Sequence, residues 1–263
     1  MTNSNVSLDD KYSIESGRIF VTGVQALARI PMVQRQRDVL EGLNTAGFIS
    51  GYRGSPVGGF DQQLWRAKKF LEQNHIRFQP GLNEDLAASA IWGSQQTNLH
   101  EGGKYDGVFA IWYGKGPGVD RCGDVFKHGN MSGPAKHGGV LLIAGDDHAA
   151  KSSTVPHQSE YAFMDASIPV LNPAGLQDIV DYGILGFAMS RFSGCWVAFK
   201  TTAENMDSSA SIDVSPDRVK ISLPKFDMPE GGLSIRWPDD WIEQEHRLHQ
   251  YKLNAVRAFA RQN

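Results

Sequence analysis

The segment GGVLLIAGDD, residues 138–147, constrains the fold of this chain more than any other. The run from Val140 to Ala144 is wholly apolar and has no water-facing position, the pattern of a strand buried on both faces of a parallel sheet. Such a strand needs helices on each side, so the rest of the chain must supply them. The run empties into Asp146 and Asp147, and loops at the carboxyl ends of parallel strands are where ligands usually bind.

Residues 23–47 show helical spacing interrupted by Pro31, which predicts one helix, kinked or split there and capped at Gly47. Residues 48–56 (FISGYRGSP) read as a strand entering a glycine-rich turn, and residues 58–74 as the helix that follows. The unit then recurs. Residues 76–82 are strand-like, 83–99 helical, 107–114 (GVFAIWYG) an apolar β run and 120–133 a helix before a Gly-Pro stop. Residues 148–169 are polar and aperiodic, as a functional or flexible loop is. Strand, helix and strand return at 170–175, 176–194 and 195–203. This alternation predicts an α/β fold with a doubly wound, mostly parallel sheet and helices on both faces. Three segments are expected: an amino-terminal tail at 1–16, the main domain at 17–212, and a proline-rich linker with a final helix at 213–263. That helix keeps its spacing to Asn263 without a C-cap, as expected of a piece cut from a longer chain.

Several function classes are disfavoured. The formal net charge of -3, with 41% hydrophobic and 21% charged residues, gives no basic footprint for nucleic acid. No apolar run approaches the roughly 18 residues of a membrane span, and the first residues lack a signal-peptide pattern. Cys122 and Cys195 stand alone, so neither a disulfide framework nor a CxxC site is expected, and a reducing, cytoplasmic setting is the simplest fit.

The chemistry-bearing candidates are few. In GLNEDLAAS, residues 81–89, Asn83 suits an N-cap, and Glu84 and Asp85 suit the positive end of a helix dipole. Helix-start charge explains both carboxylates locally; a proton-transfer role for one of them needs burial that raises its pKa, against the dipole. GYRGSPVGGF brings glycines around Ser55 and Pro56 but matches neither a nucleophile elbow nor a phosphate loop. GKGPGVD, residues 114–120, fails the dinucleotide fingerprint at Val119 and reads as a flexible loop. Asp146, Asp147, His148 and His157 include metal-ligand types, but no metal-motif spacing, so no metal site is assigned.

Taken in order, GYRGSP (51–56), GLNEDLAASAIWGSQ (81–95), GKGPGVD (114–120) and LLIAGDDHAAKSSTVPHQSEYA (141–162) resemble the amino-terminal pyrimidine-binding domain of the 2-oxoacid:ferredoxin oxidoreductases, and within that group indolepyruvate ferredoxin oxidoreductase. The resemblance spans residues 17–204. It implies that Glu84 hydrogen-bonds the aminopyrimidine of thiamine diphosphate and promotes the tautomer that removes the thiazolium proton. It places Gly54, Ser55 and Pro56 at the cofactor, Ser55 also at the substrate, and Asp146, Asp147, Ser152 and Ser153 in a loop beside it. The implied reaction is oxidative decarboxylation of a 2-oxoacid, an aryl pyruvate such as indolepyruvate, to an acyl-CoA with ferredoxin as acceptor.

The chain departs from the family pattern at Arg53 and His148, each standing where a proline is usual, and at the 158–160 segment. The GDG sequence of a diphosphate and Mg2+ site is absent, as are the cysteines of 4Fe-4S clusters. The resemblance therefore implies partners: a diphosphate-binding domain, ferredoxin-linked domains or subunits, ferredoxin itself, and a homo-oligomeric assembly. This fragment is expected to be inactive alone. Two alternatives remain open at this level: a non-oxidative thiamine-dependent decarboxylase or synthase, and a non-catalytic assembly domain of the same fold.

Overall fold

The computed structural model describes residues 6–263. Six strands form one parallel sheet: β2 (Ala46–Gly51), β3 (Ile76–Phe78), β4 (Val108–Lys115), β5 (Val140–Asp146), β6 (Val170–Leu171) and β7 (Val197–Thr202), in the order β3-β2-β4-β5-β7-β6. Two more strands, β1 (Arg18–Thr22) and β8 (Ser209–Asp213), pair antiparallel as a separate ribbon. The helices, in chain order, are α1 (Asp10–Ser13), α2 (Gly23–Leu40), α3 (Phe60–Arg66), α4 (Lys68–Gln73), α5 (Glu84–Ser94), α6 (Gly116–Arg121), α7 (Gly123–Ser132), α8 (Glu160–Asp165), α9 (Leu176–Ser193), α10 (Ala203–Met206), α11 (Trp241–Arg247) and α12 (Leu253–Gln262).

The central strands explain why the sheet is doubly wound. Every residue of β5 is buried, so both of its faces need cover. Along β4, Phe109, Ile111 and Tyr113 join one apolar cluster with residues of α2, α3 and α9, while Ala110 and Trp112 join the other with α5, α7 and α8. The two-residue period of a strand thus sends alternate side chains into two separate cores. Trp112 anchors the second core edge-on to Phe126 at 5.0 Å, and burying such a ring fully stabilises the fold by about 2–3 kcal/mol. After β2 the chain passes outward to β3 and then returns to β4 on the other side of β2. The carboxyl ends of β2 and β4 therefore flank a crevice of the kind in which open α/β sheets bind ligands.

Four local expectations are corrected. The helix over 23–47 runs through Pro31 without splitting but stops at Leu40, where Gly42 (φ 77°) turns the chain and the Leu43 N–H bonds the Asp38 carbonyl at 2.8 Å. Gly47 is no cap; it lies in β2, where a Cβ would come within 2.6 Å of the Phe109 ring. Segment 114–120 is not a flexible loop: its amino-terminal residues finish β4, and the remainder forms α6, with Pro117 presetting the first turn. The polar stretch 148–169 is irregular to Ser159, forms α8 over Glu160–Asp165 and turns again before β6.

Residues 214–240 lack helix or strand, as a linker does, but the helices that follow pack on the body of the fold. Phe259 of α12 sits 5.9 Å from Phe192 of α9, and the fully buried Lys252, in the π-turn joining α11 to α12, donates to the carbonyls of Asn130 and Met131 at the end of α7. Among the described residues no helix is long and apolar enough to cross a membrane.

Candidate active site

The carboxyl edge of the sheet gathers the loops after β2, β4 and β5 around the start of α5. Asn83 caps α5 as its sequence predicts, accepting from the Leu86 N–H at 2.9 Å. The cap fixes the next two carboxylates in different surroundings. Asp85 turns to Arg121 of α6, accepting from Nε at 2.9 Å. Glu84 instead lies against Gly118 of α6, where a Cβ would come within 2.6 Å of its Cγ and 2.9 Å of Oε1. Its backbone carbonyl accepts from Trp112 Nε1 at 3.1 Å, but its carboxylate has no hydrogen-bond partner among the described residues.

Gly54, Ser55 and Pro56 lie at the switch point, in the turn that follows β2. A Cβ on Gly54 would press on Lys115 at 2.7 Å, and Pro56 packs where Gly145 of β5 has no side chain, at 2.9 Å from an ideal Cβ. The Ser55–Pro56 peptide is cis, and Ser55 is exposed without a hydrogen bond. Arg53 leans away, 3.3 Å from Asp61.

The loop after β5 is held largely by its own carboxylates. Asp147 accepts from the backbone of Lys151 at 3.0 Å and from both the backbone and hydroxyl of Ser152 at 2.9 and 3.0 Å, with the Lys115 ammonium 3.7 Å away. The Ser152 N–H bond leads, against burial, in holding the Asp147 pKa below the usual carboxylate range. Lys115 Nζ also donates to the Ser152 carbonyl at 2.7 Å, tying the loop to β4. Asp146 is fully buried; its Oδ2 accepts from the Ser159 N–H at 2.9 Å and faces Lys200 of β7 at 3.8 Å. Lys200 pairs with Glu160, whose pKa burial would raise but whose bond from this ammonium brings it below the ordinary value.

His157 closes the loop over α6. Its Nε2 is 2.8 Å from Asp120 and its Nδ1 3.7 Å from Asp146. The ring occupies the notch left by Gly116, where a Cβ would fall 2.1 Å from Nδ1. Asp146 Oδ1, Ser153 Oγ, His157 Nδ1, Ser159 Oγ and Glu160 Oε2 are buried without a partner, so this loop carries hydrogen-bonding capacity that its own atoms do not use.

The structure thus gathers Glu84, Gly54, Ser55, Pro56, Asp146 and Asp147 at one edge of the sheet, whereas Asp147 and Ser152 spend their polar atoms on each other. Sequence reasoning passed over Lys115, Asp120 and Lys200. The available signal was Lys200 in the apolar run CWVAFKTT, since a lysine inside a buried strand must find carboxylates. Neither cysteine is a ready ligand: both are fully buried, and burial first of all raises the Cys122 thiol far above its ordinary pKa and the Cys195 thiol to about 11.

Fold and site define an α/β protein with its candidate centre at the switch point of a parallel sheet. No protein-family model and no curated protein matches the chain. Among solved structures it is similar to a 2-oxoglutarate:ferredoxin oxidoreductase from Magnetococcus marinus, determined with 2-oxoglutarate, coenzyme A and succinyl-CoA bound, with a TM-score of 0.60 and 15% identity over 92% of this chain. The chain spans 46% of that protein's length, and at this identity the likeness speaks to the fold.

Proposed function

We propose that this chain supplies the pyrimidine-binding half of a thiamine diphosphate site in a 2-oxoacid:ferredoxin oxidoreductase, acting on an aryl pyruvate such as indolepyruvate. In this reading residues 17–212 are the pyrimidine-binding domain and 213–263 the segment leading onward, while the diphosphate and Mg2+ site, the 4Fe-4S clusters and the CoA site belong to other domains or subunits of a cytoplasmic homo-oligomer. The fold shared with the Magnetococcus marinus enzyme supports the reaction class, and the four ordered motifs support the aryl substrate.

One observation carries the cofactor assignment: the Glu84 carboxylate, without a partner of its own, is seated beside Gly118 at the crevice between β2 and β4. These residues fit an aminopyrimidine, whose ring nitrogen would share a proton with the Glu84 carboxyl and whose flat face would lie against close backbone. When bound, thiamine diphosphate supplies the electron sink for breaking the bond between keto carbon and carboxylate. Glu84 holds the proton at the pyrimidine ring nitrogen, and Asp85, engaged by Arg121, stays out of that exchange. Gly54 and Pro56 shape the turn that presents the exposed Ser55 to the ligand.

The test is to express the full reading frame containing this chain with its partners and compare Glu84→Gln with the parent. Cofactor C2 proton exchange, followed by NMR, is expected to slow by roughly a hundredfold or more, the range of a lost general acid–base group. Unchanged exchange would remove Glu84, and with it the proposal.

A further inference from the structure

At the amino edge of the sheet, opposite the candidate active site, lies a cavity of about 570 Å³. Leu43 precedes β2 and His137 precedes β5, which sets its position; α2 and α9 form its floor and the irregular 219–233 segment its far wall. Its volume falls within the range of roughly 300–1,000 Å³ typical of small-molecule sites. Leu43, Ala188, Phe192, Ile221 and Leu233 make the lining apolar, and Leu223 and Met228 remain exposed at its lip.

The polar groups of the lining are unequal. Arg191 is spent: it holds Asp38 through two bonds of 2.6 and 2.9 Å and donates to the Gly138 and His137 carbonyls. Arg37 is not. Its Nη1 donates to the Pro216 and Val219 carbonyls, whereas Nε and Nη2 make no hydrogen bond and no carboxylate pairs with it within 4 Å among the described residues. Lys136, exposed on the rim, likewise has no ion-pair partner among the described residues. His137 is held toward its neutral form by burial first and then by Lys136 and Arg191. With Arg191 and Asp38 cancelling, Arg37 and Lys136 are set against Glu41 in the lining; Asp217, also near Arg37, lies outside it and is paired with Lys220 at 3.6 Å.

From this geometry we infer a second ligand site, for a small amphipathic anion: an apolar body seated between α9 and the 219–233 segment, with one carboxylate or sulfonate held by Arg37 and Lys136. A neutral or cationic ligand of the same shape would leave the free Arg37 donors unanswered. The site is independent of the thiamine reading.

The test is calorimetric titration of the chain with decanoate, decanol and decylamine. Decanoate is expected to bind at least about tenfold more tightly than decanol, the worth of one charge-assisted hydrogen bond, and decylamine not at all. Lys136→Gln, on an exposed side chain, and Arg37→Gln should each weaken decanoate and leave decanol unchanged. Ala188→Phe, which fills the floor, should remove both. Equal affinity for the three ligands, or decanoate binding that ignores both head-group variants, overturns the inference. Thermal melts of each variant separate loss of the site from loss of fold, and Lys136→Gln alone suffices should Arg37→Gln unfold.

Discussion

Lys252 gives the sharpest test of the energetics. Its side chain is 1% exposed, its ammonium donates to the Asn130 and Met131 carbonyls at 3.2 and 2.7 Å, and burial lowers its pKa from 10.5 to about 8. Cys195, Arg247, Asp239 and Arg236 are the charged or titratable groups that face it, and they alter the shift less than burial does. Because the folded state binds this proton less tightly than the unfolded chain, the group costs stability below the folded pKa. That cost fades as pH rises toward the unfolded value. The shift amounts to about 3 kcal/mol at pH 7 and about 1.5 kcal/mol near pH 9.5, so the wild type should gain about 2 kcal/mol from this group across that interval. Lys252→Met keeps most of the volume and removes the charge. Its lost hydrogen bonds cost about 1–3 kcal/mol, offset by the relief of burial, so stability near pH 7 is not the decisive reading. The slope is. Urea unfolding of both proteins near pH 7 and near pH 9.5 should show the wild type gaining about 2 kcal/mol relative to Lys252→Met, on top of the loss both share as the thiols of Cys122 and Cys195 ionise in the unfolded chain. Parallel pH dependences in the two proteins would refute the reasoning.

Other consequences are equally direct. Asp38 is fully buried beneath Arg191, Gln34 and Thr45, so Asp38→Ala, which strands the guanidinium, should destabilise the chain by about 3–5 kcal/mol in denaturant melts. Gly118→Ala gains up to about 1 kcal/mol of helix propensity but pushes Glu84 aside, so folding should change little while, under the proposed function, affinity for thiamine diphosphate in the full protein should fall; titration of the cofactor is the check. Gly116→Ala evicts His157 from its notch and should expose the 147–159 loop to limited proteolysis at a rate clearly above wild type. The depressed Asp147 pKa means that its loop bonds persist through the usual carboxylate range and fail only at lower pH. Amide exchange of Lys151 and Ser152 followed down an acid titration should show protection lost there, and Asp147→Asn should show it lost at every pH.

The fold was legible where burial leaves one solution. The apolar run at 140–144 could only be a central strand, and the alternation around it implied parallel units covered on both faces. The antiparallel ribbon of β1 and β8 was not legible, because only Ile19 and Val21 of β1 turn inward and its partner lies at residues 209–213. A pairing that distant leaves no local pattern. Similarly, α6 hid behind three glycines that argue for a loop, and it forms because Asp120 and Arg121 are held from outside by His157 and Asp85. At the candidate site, helix-start chemistry placed Asn83, Glu84 and Asp85 correctly but could not rank the two carboxylates. What separates them is the partner each meets across space, Arg121 for Asp85 and the bare backbone of Gly118 for Glu84.

The glycines of the sequence motifs acquire a common explanation from this. None matches a phosphate-binding pattern, yet four of them stand under site residues: Gly54 beneath Lys115, Gly116 beneath His157, Gly118 beneath Glu84 and Gly145 beneath Pro56, each with a virtual Cβ less than 3.0 Å from its neighbour. A side chain at any of these positions would have to displace a polar or turn-forming group at the carboxyl edge rather than a flexible surface chain. The glycines therefore serve as notches that let three loops and one helix start converge on a single crevice, and the motif order follows from that convergence. By contrast Gly58 and Gly59, in the same glycine-rich stretch as Gly54, have open space where a Cβ would go, so alanine there should leave the crevice unchanged. The difference between those two groups of glycines is a property of the site's packing, whereas the same closeness at Gly47 against Phe109 or at Gly183 against Ile30 belongs to the core.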